Sequence, residues 1–125
     1  MFEVINTSKA PVAIGTYSQA IKAGNTVYFS GQIGLDPVSG QMLASDVREE
    51  ITQIFNNLTA VAKAAGGALT NIVKLTIYLK DFENFTIVNE LMSQFFKEPY
   101  PARATVGVKD LPRNAEVEID AVMVL

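Results

Sequence analysis

Between Asp46 and Gly67 the chain spells out a helix with both ends marked, and no other stretch constrains the fold as much. Asp46 has the short polar side chain that caps a helix start, and Glu49 three residues on completes a capping-box-like pattern. Val47, Ile51, Ile54, Phe55, Leu58, Val61, Ala62 and Ala65 then recur at helical spacing. Gly66-Gly67 supplies the left-handed residue that helix ends favour. A helix with one apolar stripe has to bury it against another layer.

The flanking sequence supplies that layer as strands. Residues 17–23 and 26–30 (Thr-Val-Tyr-Phe-Ser) flank Gly24-Asn25, a pair suited to the positive dihedrals of a tight hairpin. Asp36-Pro37-Val38-Ser39-Gly40 is a second turn signal. Residues 72–79 are β-branched and nearly continuous in apolarity, which predicts a strand covered on both faces. A second helix is expected over about 83–97, with Phe85, Val88, Met92 and Phe95 on one side, and Pro99 and Pro101 stop it. Strands at roughly 102–108 and 115–124 follow. The order is strand, strand, strand, helix, strand, helix, strand, strand. It predicts one α/β (α+β) domain over residues 1–125, a single mixed sheet with two helices on one face. The other face then needs cover, and neighbouring subunits are the expected source.

Composition removes whole classes of function. With 49% hydrophobic and 18% charged residues, the chain is globular rather than disordered. Ten Lys+Arg against thirteen Asp+Glu, with no basic run, disfavour a nucleic-acid binder, whose affinity comes from clustered cations. No leader-like segment or eighteen-residue apolar run is visible, so the cytosol is the default address and no membrane span is expected. There is no Cys and no His, which rules out thiol nucleophiles, Ser-His-Asp triads, thiolate zinc sites and imidazole acid/base steps. No acidic cluster at the end of an apolar strand points to Mg²⁺, so no metal is expected.

The remaining chemistry concentrates in the last two strands. By alternation, Arg103, Thr105 and Gly107 share one face of 102–108, with Ala104, Val106 and Val108 on the other. Glu116, Glu118 and Asp120 face one way on 115–124, and Val117, Ile119, Ala121 and Met123 the other. An antiparallel hairpin joined by 109–114 would bring Arg103 close to Glu118 and Asp120. Such a group is either a cross-strand surface ion pair or a carboxylate-binding Arg beside a carboxylate base, and spacing does not separate the two. Gly31-Gln32-Ile33-Gly34 lacks phosphate-cradle spacing and reads as a turn. By residue type, Tyr17 fits a core or rim aromatic, and Asn89 a structural hydrogen bond among apolar neighbours.

Four segments carry a resemblance. Pro101-Ala102-Arg103-Ala104-Thr105-Val106, then Leu111-Pro112 and Val117-Glu118-Ile119, closely resemble the C-terminal signature of the RidA/YjgF family. Ala13-Ile14-Gly15-Thr16-Tyr17-Ser18-Gln19-Ala20, Phe29-Ser30-Gly31-Gln32-Ile33 and Val88-Asn89 are similar to its other motifs, in the same order. The resemblance implies a chorismate-mutase-like fold, a homotrimer with sites between subunits, and hydrolysis of 2-aminoacrylate, 2-aminocrotonate and their imine tautomers to 2-oxo acids and ammonia. It implies no metal and no organic cofactor, and a place downstream of pyridoxal-phosphate-dependent dehydratases. Carried over by position, Arg103 would grip the substrate carboxylate. Glu118 would activate water. Tyr17, Ser30, Gly31, Asn89 and Thr105 would line the pocket. Thr105 stands where many members carry Cys, and Thr16 where Pro usually precedes the Tyr. The alternatives are a regulatory module that senses a 2-oxo acid in the same pocket, and an endoribonuclease or translation inhibitor.

Overall fold

A computed structural model describes residues 1–42 and 46–125. Among these residues six strands form one mixed sheet: β1 (Phe2–Ile5), β2 (Ala20–Ala23), β3 (Thr26–Gln32), β4 (Ile72–Leu79), β5 (Ala102–Gly107) and β6 (Val117–Val124), in the order β1-β2-β3-β6-β4-β5. Two helices, α1 (Val47–Ala64) and α2 (Phe85–Phe95), pack on one face.

The ends of α1 follow from local chemistry. The Asp46 carboxylate accepts the Glu49 backbone N–H at 2.8 Å, which satisfies one of the donors a helix start leaves free. At the other end Gly66 adopts φ +94°. The N–H groups of Gly66 and Gly67 donate back to the carbonyls of Lys63 and Ala62 at 3.0 and 2.9 Å, the paired closure typical of a glycine-terminated helix. Gly24 turns the β2–β3 hairpin at φ +62°. Asp36 Oδ1 closes the second turn by accepting from the Val38 and Ser39 N–H groups.

Buried Ile51, Ile54, Phe55, Leu58 and Val61 of α1 and Val88, Leu91 and Met92 of α2 meet Val27, Leu75, Ile77, Leu79, Val117, Ile119 and Met123 of the sheet. Phe55 anchors the junction, its ring 5.0 Å from Phe95 and 5.5 Å edge-on to Phe96. Among the described residues four polar side chains are also buried, Gln32 of β3 and three that tie segments together. Asn57 donates from α1 to the Ile33 and Leu35 carbonyls. Gln19 exchanges hydrogen bonds with the backbone of Thr7 and donates to the Ala10 and Pro11 carbonyls. Glu50 of α1 accepts from the N–H groups of Glu116 and Val117.

Three expectations change. The strand expected over 17–23 begins at Ala20, because Gln19 is committed to holding the loop before it. The strand at 72–79 is covered on one face only within the chain: Leu75, Ile77 and Leu79 are buried, while Lys74 is exposed and Thr76 and Tyr78 are half-buried. The third change matters for the site. β5 and β6 do not form a hairpin. β5 runs parallel to β4 at the sheet edge, reached through α2, and β6 inserts between β3 and β4, antiparallel to both.

Candidate active site

Arg103 lies on β5 opposite Leu75, so its side chain leaves the sheet on the helix side. There α2 presents Phe85, Asn89 and Met92 at i, i+4 and i+7, one stripe of the helix aimed at a single guanidinium. Nη1 donates to Asn89 Oδ1 at 2.5 Å and approaches Met92 Sδ at 3.5 Å. The guanidinium carbon sits 5.1 Å from the Phe85 ring centroid, and Phe82 stacks on Phe85 at 5.5 Å, nearly parallel. Among the described residues the ion pairs are Arg48–Glu90 and Lys80–Glu116, so Arg103 has no carboxylate partner in its own chain. Its Nε–Nη2 edge remains, two parallel donors matched to a carboxylate. A cavity of about 480 Å³ opens beside it, lined by Asn89, Met92, Ser93, Tyr100 and Pro101. Thr105, two residues along the same strand face, has a buried hydroxyl that makes no hydrogen bond among the described residues.

Glu118 lies on β6 opposite Tyr78, on the face away from the helices. The register between β3 and β6 slips by one residue between Phe29 and Gln32, a bulge that places Ser30 and Gly31 beside Glu118. Gly31 leaves the room that the carboxylate occupies: a Cβ at that position would stand 2.7 Å from Glu118 Oε2, and the Glu118 side chain would have to shift. Ser30 Oγ donates to the Ser18 carbonyl at 2.5 Å, and the Ser30 N–H to the Gln19 carbonyl at 3.0 Å, which ties the 11–18 loop down beside the carboxylate. Tyr17, about half exposed, extends from that loop. These groups, with Val12, Ile14 and Pro112, line a second cavity of about 580 Å³. Partial burial raises the Glu118 carboxyl above the usual carboxylate range, and the negative charge of Asp120 adds to the effect. Asp120 itself accepts a hydrogen bond from Tyr78 Oη at 2.9 Å.

The residues singled out by sequence therefore fall into two groups. Tyr17, Ser30, Gly31 and Glu118 gather in one cavity, and Asn89 and Arg103 in the other, with Thr105 following Arg103 on its strand. Within one chain β4 separates β5 from β6, and Arg103 and Glu118 point to opposite faces of the sheet. The expected Arg103–Glu118–Asp120 juxtaposition within the chain is not formed, and neither is the surface ion pair. Two polar groups expected in the pocket also have structural work, since Ser30 holds the Tyr17 loop and Asn89 aims Arg103. The aromatic support of Arg103 by Phe85 escaped the sequence reading, because periodicity marks Phe85 only as apolar.

Comparison with known proteins places the chain in a family. Residues 7–125 match the family model described as Endoribonuclease L-PSP. A human 2-iminobutanoate/2-iminopropanoate deaminase is 49% identical over 121 residues, covering 97% of this chain and 88% of that protein. The crystal structure of RidA from an Antarctic Psychrobacter superposes with a TM-score of 0.95 at 44% identity, covering 98% of this chain and 99% of that one. The structure of Escherichia coli TdcF with bound serine gives a TM-score of 0.93 at 36% identity, covering 98% of each chain. The chain belongs to the RidA/YjgF family, whose model is the Endoribonuclease L-PSP one.

Proposed function

We propose that the protein hydrolyses reactive 2-imino acids and their enamine tautomers, those of 2-aminoacrylate and 2-aminocrotonate, to 2-oxo acids and ammonia, at sites completed between subunits of a homotrimer. The observation that carries this reading is Arg103: a guanidinium held at one end by Asn89, backed by Phe85, and without a carboxylate of its own. Such a group is a receptor for a substrate carboxylate. The deaminase names of relatives at 45–49% identity supply the reaction class.

Completion by a second copy follows from the faces. A site that uses both Arg103 and Glu118 cannot close within one chain, so the Arg103 half of one subunit must meet the Glu118 half of another. The helix-free face is suited to such contact, with Val4, Tyr28, Val106 and Val124 exposed on it. The count of three comes from the resemblance.

The chemistry then needs little machinery. Arg103 fixes the carboxylate plane, which sets the direction of C2. Glu118 accepts a proton from water as the oxygen adds to the protonated imine carbon. It returns that proton to the nitrogen of the resulting carbinolamine; as the C–N bond breaks and ammonia leaves, the carboxylate takes up the hydroxyl proton so that the carbonyl forms, and that proton passes to the departing ammonia as ammonium. A carboxyl raised by burial is suited to both transfers near neutral pH. The family model's Endoribonuclease description would suggest RNA cleavage, but a net charge of −3 and the absence of His weigh against it.

A threonine dehydratase coupled to detection of 2-oxobutanoate tests the reaction. Catalytic amounts of the protein should accelerate 2-oxobutanoate release; release at the spontaneous rate would leave only carboxylate binding. Light scattering on a sizing column should report three chain masses, and a clean monomer would refute the shared site.

A further inference from the structure

Glu50 is a largely buried carboxylate that the proposed reaction does not use. It belongs to the first turns of α1, yet its Oε2 accepts the N–H of Glu116 at 2.7 Å and of Val117 at 3.0 Å. These are the residue just before β6 and its first residue, and Glu118 comes next. On its other side Glu50 meets β3's continuation: a Cβ on Gly34 would stand 2.7 Å from Glu50 Cγ and 3.0 Å from the Glu50 carbonyl oxygen. Three residues before Gly34, Gly31 makes the same close approach to the Glu118 carboxylate. Glu50 thus ties α1 to the start of β6 by hydrogen bonds and packs closely against the segment that continues β3.

We infer that Glu50 is a positioning residue for Glu118, fixing through the Glu116 and Val117 N–H groups the height at which the Glu118 carboxylate stands beside Gly31. Burial penalises the carboxylate and raises its pKa, and the negative charge of Glu116 works in the same direction. A buried carboxylate is retained at such a place when its acceptor is needed. Here it meets two backbone donors at the start of β6, which has no hairpin turn to set its register. Lys80 and Glu116 are the charged groups that act on it from the neighbouring elements, and neither accounts for the two hydrogen bonds.

The inference rests on Glu118 as the proton-transfer group, and the test separates the two ideas. Glu50→Asp keeps the charge but withdraws the acceptor by one methylene, and Glu50→Gln keeps the reach but removes the charge. Misplacement of a reacting group by about 1 Å costs on the order of 10²-fold. Glu50→Asp should therefore lose about 10- to 100-fold in kcat with KM changed less than about twofold, while Glu50→Gln stays within about threefold of the parent. In a Glu118→Gln background the Glu50→Asp loss should vanish, because there is no longer a carboxylate to misplace. A folded oligomeric Glu50→Asp protein with normal kcat, or losses that simply multiply in the double variant, would overturn the positioning role. Inactivation by Glu50→Gln would overturn it too, by showing that charge rather than acceptor geometry matters. If Glu118→Gln alone turned over normally, the reading of the site would fall, and this inference with it.

Discussion

Replacing Arg103 with Lys keeps the positive charge and removes what the structure builds around it. The guanidinium gives one nitrogen to Asn89 and rests on Phe85, leaving a two-donor edge for substrate. An ammonium cannot do all three. It forfeits one charged hydrogen bond to the substrate, about 1.5–3 kcal/mol, and most of the ring contact, about 0.5–1 kcal/mol. The sum, about 2–4 kcal/mol, corresponds to a loss of roughly 30- to 10³-fold in kcat/KM. Arg103→Ala should fall only somewhat further. The dehydratase-coupled assay reads both variants, with circular dichroism and oligomer mass as controls. A folded, oligomeric Arg103→Lys enzyme with most of its activity would show that charge alone suffices, and would refute the oriented-clamp argument.

Other outcomes follow from the Glu118 half. Glu118→Gln should lower kcat by about 10²–10⁴-fold while leaving 2-oxo acid binding, measured by calorimetry, largely intact. Its pH dependence has a defined sign. Because the folded carboxyl titrates above its ordinary value of 4.5, the parent's kcat should fall with acid through a limb above that pH, and the variant should lack the limb. The same raised pKa means that Glu118 favours folding below about pH 4.5 and that this contribution is lost as pH rises through the folded value, so Glu118→Gln should raise Tm at pH 7 but not at pH 4. Gly31→Ala, whose methyl would stand 2.7 Å from Glu118 Oε2, should cost kcat about 10²-fold in a folded protein, and normal turnover would remove Gly31 as a constraint on the carboxylate. Thr105→Cys should stay within about tenfold in kcat/KM, since no step uses a nucleophile there; inactivation would give the Thr105 hydroxyl a direct role.

Much of the architecture was legible because its determinants are local. Asp46 and Gly66-Gly67 mark α1 within a residue of its observed ends, and β4 begins and ends at the residues its apolar run predicts. Alternation sorted the residues of β5 and β6 correctly onto faces. It could not say which face of one matched which face of the other, because that depends on pairing between distant strands. Proximity in sequence favours a β5–β6 hairpin; burial of the β4 and β6 apolar faces under the helices puts β6 in the interior of the sheet instead. The polar residues inside the fold were illegible for a related reason. Gln19, Glu50 and Asn57 each satisfy backbone groups of another segment, and nothing in their own neighbourhoods announces those partners.

The position of β6 also bears on how the molecule can be made. Before β6 docks, the chain can assemble a β1-β2-β3 meander and a β4-α2-β5 unit, each built from neighbours in sequence. Nothing then joins them as one sheet, since the strand between β3 and β4 emerges after both. Two open strand borders face solvent during that interval, which is the geometry that recruits other chains. Thr26 pairs with Val124, so the closing event spans most of the sequence, and loops of that length make for slow folding. Aggregation during overproduction should track the lifetime of this half-joined state rather than the stability of the finished protein.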